Sequence, residues 1–351
     1  MWISSISAII RSRAIPVLVD SDQTLGVDPE DLKVKISERT KVIMVVPMLG
    51  GSSKIGEIME VVRNVNNSRK KDNLSKIFVL EDCAQSLGAH AFGIPGSSQT
   101  SLPEGCYKLG TFGDIGTFSL QLNKDITAGE GGMVVTRDKE LNDRVDALHN
   151  AGYIKKEKNN INWYGDIPYG WGHGRRMSEL QGAVARVQLK KLDTILDSIR
   201  KNHSFFEEFF KKQGIKLRKR AYQNNPGDTG YYLCFHLPEN LDDNTAISKG
   251  REIAKDLKDK GFNVWFLHDF EVHIYYNIEP LVKKFPMNDG SPWEDPKNNF
   301  HTQYKYDRGA LPNLDHLLIR TIGLNMPSKM SDNTRDNMMT VSYTHLRAHE
   351  T

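Results

Sequence analysis

Short, almost wholly apolar runs, set apart by stretches of helical periodicity, constrain this chain more than any other feature. Ala14–Asp20 (AIPVLVD), Val42–Val46 (VIMVV) and Ile77–Leu80 are too short for buried helices and show no polar alternation. Each is predicted to be a strand covered on both faces. Ile55–Lys71 places Ile55, Ile58, Met59, Val62 and Val65 at helical spacing, a face suited to lying on a sheet. Asp28-Pro29-Glu30 reads as a helix start: a capping acid, a proline whose missing N–H costs nothing there, and an acid that the helix dipole favours. This alternation specifies an α/β fold, a mainly parallel sheet flanked by helices.

In such sheets functional groups gather beyond the carboxyl ends of the strands. Two segments of the chain fall there. Glu81-Asp82-Cys83-Ala84-Gln85 follows the third strand at once. The β-rich run Gly116–Leu122 delivers Lys124 into a turn, and Gly129, Gly131 and Gly132 let the chain bend into a second strand, Met133–Thr136. A lysine held in this way loses its proton readily and becomes an amine nucleophile, able to form a Schiff base with a carbonyl compound such as pyridoxal phosphate. The plain alternative is a surface lysine in a glycine-rich loop. Convergence of Asp82, Gln85 and Lys124 on one sheet edge favours a site.

Further along, Asp138 caps a helix running to about Asn150, and Gly152–Gly174, rich in Gly, Asn, Tyr and Trp, reads as a long functional loop. Arg176–Arg200 is predicted as one helix whose apolar stripe, from Met177 to Ile199, links two domains or lines a dimer interface. Tyr231–Leu237 and Asn263–Leu267 read as strands around a helix, Thr245–Lys260, which makes a smaller C-terminal α+β domain. The expected division is 1–200 for the large α/β domain and 201–340 for the small one. Residues 341–351 (VSYTHLRAHET) resemble one reading frame of a transposase-type sequencing adapter and are set aside as a non-native tail. Trp265, Phe266, Tyr275, Tyr276 and Trp293 line a pocket or form the small domain's core, and core is the commoner role.

With 47 basic and 44 acidic side chains and a net charge of +3, the chain carries no charge signature of a nucleic-acid or anionic-membrane partner. No apolar run approaches transmembrane length. Cys83, Cys106 and Cys234 lie far apart, without disulfide or zinc spacing, which fits a reducing cytoplasm. His268 and His273 lack further spaced ligands, so no metal site is expected. There is no Gly-x-Ser-x-Gly elbow and no Walker-type lysine loop.

The blocks EDCAQSLGA (Glu81–Ala89), FGDIGTFSLQLNKDITAGEGGMVVT (Phe112–Thr136) and RRMSELQGAVARVQLKKLD (Arg175–Asp193), in this order, resemble the DegT/StrS family of sugar aminotransferases, which are fold-type I pyridoxal 5'-phosphate (PLP) enzymes. PVLVDSD near the start and LPNLDHLLIRTIGLNMPSKMSD (Leu311–Asp332) resemble it too. The resemblance implies that Lys124 holds the cofactor as a Schiff base, that Asp82 pairs with the pyridine nitrogen, that Gln85 lies beside the ring and that Ser119 binds the phosphate. Trp2 falls where the family places an aromatic ring against the pyridine. Gly174 stands where the family has an asparagine that reaches the neighbouring subunit's phosphate, so the resemblance implies that this contact is either lost or taken over by Arg175. The chain begins near the stacking aromatic, without the family's earlier Gly-Thr/Ser-x-Ala phosphate loop, so it reads as an internal piece of a longer enzyme.

The implied reaction is transamination in amino-sugar or polysaccharide biosynthesis. Glutamate gives the amino group, Lys124 serves as nucleophile and proton carrier, and an activated keto or aldehyde sugar, a nucleotide-linked hexose or an octulosonate-type acid, receives it. A homodimer with sites at its interface is implied as well. Two other readings are weighed. A family branch of dehydratases replaces the lysine by histidine, which Lys124 argues against. A binding or regulatory protein that keeps the fold has no need to retain Asp82, Ser119 and Lys124 together.

Overall fold

The computed structural model describes residues 2–96, 102–154, 168–224, 227–336 and 339. The chain forms two compact units that interleave along the sequence. One comprises Glu38–Pro47 and Ile55–Ile195; the other comprises Met1–Ser37, Met48–Lys54 and Leu196–Thr351.

The first of these units contains β1 (Val42–Val45), β2 (Phe78–Asp82), β3 (His90–Gly93), β4 (Gly105–Lys108), β5 (Ile115–Ser119) and β6 (Gly132–Val135). Its main sheet has the order β1-β2-β5-β6; β1, β2 and β5 run parallel and β6 closes the edge antiparallel, so the sheet is mainly parallel as expected. β3 and β4 pair separately as an antiparallel ribbon. The helix Ile55–Lys71 forms over the predicted span and buries Ile55, Ile58, Met59, Val61 and Val62. It is also stitched to the start of β2. Asn66 Nδ2 donates to the Ile77 carbonyl at 3.0 Å and the Ile77 N–H returns a bond to Asn66 Oδ1 at 2.8 Å, which satisfies backbone groups just outside the ladder.

Asp138 caps the helix Lys139–His149, its carboxylate accepting from the Leu141 N–H. The predicted single helix Arg176–Arg200 is instead two: Glu179–Leu189, opened by a capping box between Ser178 and Gln181, and Leu192–Lys212. The apolar stripe runs on through the join, so periodicity alone gave no sign of the break.

In the other unit, β7 (Lys216–Leu217), β8 (Tyr232–His236), β9 (Val264–Phe266) and β10 (Thr321–Asn325) form an antiparallel sheet of order β7-β8-β10-β9. The helix Asp243–Asp259, capped by Asp242, buries Ala246, Gly250, Ile253 and Leu257. Of the aromatic residues singled out in the sequence, Tyr275 and Trp293 are core, clustering with Tyr306, Ile6, Leu18 and Leu281, Phe266 is buried too, and Trp265 and Tyr276 are partly buried.

Residues 14–20, expected as a strand, pair with no other strand. Their hydrogen bonds are met otherwise. Tyr306 donates its hydroxyl to the Pro16 carbonyl at 2.6 Å, and the Asp20 carboxylate accepts from the Asn313 and Leu314 N–H groups at 3.0 and 2.9 Å, at the start of the helix Pro312–Leu318. Pro16 has no N–H to give a ladder, and of the run's apolar side chains Leu18 is buried in the aromatic cluster and Ile15 packs partly against it, while Ala14 is exposed.

Candidate functional site

The site is built on the pairing of β2 with β5. Their register sets Glu81 beside Gly116 and Asp82 beside Thr117. Because side chains alternate along a strand, Asp82, Thr117 and Ser119 share one face of the sheet, while Glu81, Gly116 and Phe118 share the other. Asp82 ends β2 and Ser119 ends β5, so both stand at the carboxyl edge. Beyond Asp82 the chain turns at once: the Cys83 N–H still bonds the Thr117 carbonyl at 2.9 Å, and Asp82 Oδ1 accepts from the Ala84 N–H at 3.3 Å. Gln85 lies half-buried in this turn.

After Ser119 the chain forms a closed loop back to β6. The Leu120 N–H bonds the Gly131 carbonyl at 2.9 Å, and the Ala128 N–H and Thr127 hydroxyl both bond the Leu120 carbonyl, at 2.9 and 3.1 Å. Within the loop the Lys124 N–H bonds the Gln121 carbonyl at 3.0 Å, and Ile126 is buried beneath. Ser119 Oγ accepts from the Gln121 N–H at 3.3 Å. Gly131 closes the loop with φ +153°, a backbone conformation that residues with a side chain rarely adopt, and Met177 Sδ lies where its Cβ would point.

Lys124 is half-buried, and burial lowers its pKa from the ordinary lysine value; the carboxylates of Asp82 and Asp125 oppose that shift. An amine and a carboxylate delivered by different strands are thus within reach of one another's charge, with a hydroxyl on the same strand edge. Such a set suits a cofactor with a reactive aldehyde, a basic ring nitrogen and a phosphate. The uncharged amine attacks a carbonyl, the carboxylate holds a protonated ring nitrogen, and hydroxyl and backbone N–H groups receive the phosphate.

Arg175 is exposed in the same unit. Trp2 belongs to the other unit and is stacked on His273, with ring centroids 3.4 Å apart and planes at 17°. Residues 155–167 of the predicted functional loop and the tail 341–351 lie outside the described residues. Sequence reasoning missed Thr117, which strand alternation from Ser119 would have found, and Asp125, adjacent to Lys124. Among the described residues, no group of three or more His, Cys, Asp or Glu side chains is placed to hold a metal, and no helix is long and apolar enough to cross a membrane.

Residues 1–285 match the DegT/DnrJ/EryC1/StrS aminotransferase family. The chain belongs to this family. It is 36% identical over 196 residues to the GDP-perosamine synthase of Escherichia coli O157:H7, covering 56% of this chain and 46% of that protein. It is 30% identical over 245 residues to the L-glutamine:2-deoxy-scyllo-inosose aminotransferase of Streptomyces kanamyceticus, covering 68% and 51%. The chain spans about half the length of these curated relatives. Among solved structures, a putative sugar aminotransferase of Streptococcus pneumoniae, Spr1654, in its PMP form is similar with a TM-score of 0.70 at 20% identity, covering 98% of this chain and 80% of that one. That likeness establishes the fold, α/β of the fold-type I kind.

Proposed function

We propose that the protein is a PLP-dependent aminotransferase that moves an amino group from glutamate to a keto or aldehyde carbon of an activated sugar. The observation that carries this reading is the half-buried Lys124 amine, its pKa lowered by burial, within reach of the Asp82 charge at the carboxyl edge of a parallel sheet. Family membership and two relatives named for amino-sugar and aminocyclitol chemistry support it.

PLP, when bound, supplies a protonated ring that draws off the negative charge left as a proton leaves the substrate carbon. The chain's residues do the rest. Asp82 keeps the ring nitrogen protonated by placing a carboxylate against it. Lys124 Nζ would hold the cofactor by its amine and would be the group that carries a proton at the reacting carbon. Ser119 and the turn around it hold the phosphate, and Gln85 borders the ring. Arg175, in the same unit, adds a cation for the phosphate.

The active unit is proposed to be a homodimer. The helix Glu179–Leu189 buries none of its residues and exposes Leu180, Val184, Val187 and Leu189, an apolar face suited to a second copy. Free cysteines without paired spacing fit a cytoplasmic setting.

The test is the absorbance spectrum of the protein mixed with PLP, before and after glutamate or glutamine. A visible band that one donor bleaches is the expected result and names the donor. No band would overturn the cofactor assignment.

A further inference from the structure

Behind the site, on the opposite face of the same strand pair, lies a buried carboxylate with three backbone partners. Glu81 is fully buried. Its Oε1 accepts from the N–H groups of Phe112 and Gly113, both at 2.7 Å, and its Oε2 from that of Gly110 at 2.8 Å. These donors belong to the turn leading into β5. The turn lies directly on the strand: a Cβ on Gly116 would come 2.1 Å from the Gly110 carbonyl oxygen, and Gly110, with φ +84°, sits against the Phe118 ring. No side chain fits between turn and strand, and Phe112 is itself fully buried.

Buried backbone N–H groups require an acceptor, and here a single carboxylate serves three of them from the next-to-last residue of a strand. Glu81 thereby joins β2 to the turn that begins β5. One residue further along β2 is Asp82, and Ser119 ends β5, both on the opposite face. The spacing between the two groups is set by how these strands are locked to one another.

We propose that Glu81 is a positioning residue of the cofactor site, holding Asp82 and the Thr117–Ser119 edge in fixed relation by clamping the Gly110–Gly113 turn from the back of the sheet. The proposal rests on the reading that Asp82 meets the pyridine nitrogen. Glu81 touches neither substrate nor cofactor. Burial pushes its own carboxyl pKa up, while the three N–H groups act in the other direction, so the clamp depends on partners that only the folded turn provides. The neutral isostere Gln keeps one acceptor oxygen but turns an NH2 group toward a backbone N–H.

The test compares Glu81→Gln, Glu81→Asp and Asp82→Asn with the parent protein. It reads the dissociation constant for PLP and the pH midpoint of the bound cofactor's visible band. Both Glu81 variants are expected to weaken PLP binding, Gln by about ten-fold, the change that one orphaned buried donor amounts to, and to shift the midpoint in the same direction as Asp82→Asn. Lowered thermal stability with an unchanged dissociation constant and midpoint would overturn the proposal, because Glu81 would then be a structural support only. If Glu81→Gln does not fold, Glu81→Asp decides by the same two readouts. An Asp82→Asn variant identical to the parent in both would overturn the role of Asp82, and the proposal with it.

Discussion

Asp82 and Ser119 face the same way from neighbouring parallel strands, one pleat out of register: Asp82 pairs with Thr117, and Ser119 lies two residues beyond it. The carboxylate and the hydroxyl are therefore fixed by two backbone ladders, and the intervening Thr117 is tied back by a 3.3 Å bond from its hydroxyl to the Glu81 carbonyl. A flat, charged ring spanning such an edge meets groups whose spacing loop motion does not change.

Lys124→Ala removes the proposed nucleophile and proton carrier without touching the core, since Ile126 and the loop's backbone bonds anchor the turn. Turnover with glutamate should fall by about 10³-fold or more, and the thermal unfolding midpoint should stay close to that of the parent. Parent-like turnover would remove Lys124 from the mechanism.

The acidity of Lys124 gives a second prediction. Burial lowers its pKa, so in cofactor-free protein its amine should react with cyanate at a lower pH than exposed lysines do, as read by mass spectrometry. Asp82 favours the ammonium form. Asp82→Asn should therefore move the reaction midpoint further down. An upward move would contradict the charge relation.

Acid stability follows from two buried imidazoles. His203 and His236 have pKa values pushed down from 6.5 to about 4, chiefly by burial. Below pH 6.5 the unfolded chain takes up protons that the folded one refuses, so stability falls as pH drops from 6.5 to about 4, by about 2 to 3 kcal/mol for each residue at the end of the window. Urea denaturation across this range should show the loss, and His203→Gln should flatten it. The carboxylate of Glu239, held at about 2 by Lys216 and His316, begins to lose its contribution near its ordinary value of 4.5, at the foot of this window, and goes on losing it as pH falls through about 2.

Asp228 joins three elements of one unit. Its Oδ2 pairs with Arg218 Nη2 at 2.6 Å, and its Oδ1 accepts from the Ser52 N–H and hydroxyl at 2.9 and 2.7 Å. Ser52 lies in the segment Met48–Lys54, where Leu49 and Ser53 adopt positive φ of 58° and 47°. Asp228→Ala leaves the buried Arg218 charge unpaired and should cost about 3 to 5 kcal/mol in urea denaturation. It should also expose the Met48–Lys54 segment to proteolysis.

The sequence made some of this legible for clear physical reasons. The helix Ile55–Lys71 was read to its ends because one face carries every buried apolar side chain, and Asp82, Gln85 and Lys124 stood out because strand ends are where a parallel sheet exposes polar groups, whereas Ser119 came only from the family resemblance. What was hidden depended on partners distant in sequence. Glu81 looks like half of an acidic pair until the turn at Gly110–Gly113 is seen lying on Gly116. His203 sits in an ordinary amphipathic helix, and nothing near it in sequence announces Arg218, Arg220 and Asp228. Residues 14–20 have the composition of a strand, yet a side-chain hydroxyl and two backbone N–H groups almost 300 residues away bond to them.

One unit closes within a single stretch of synthesis, since Glu38–Pro47 and Ile55–Ile195 hold all of its strands. The other is assembled from both ends of the chain. While the ribosome is still working through the middle, Ile6 and Leu18 have none of the aromatic partners they later pack against, because Tyr275, Trp293 and Tyr306 have yet to be made. The amphipathic helix Ile3–Arg11 must therefore wait with its apolar face uncovered, and this interval is when the nascent chain most needs a chaperone.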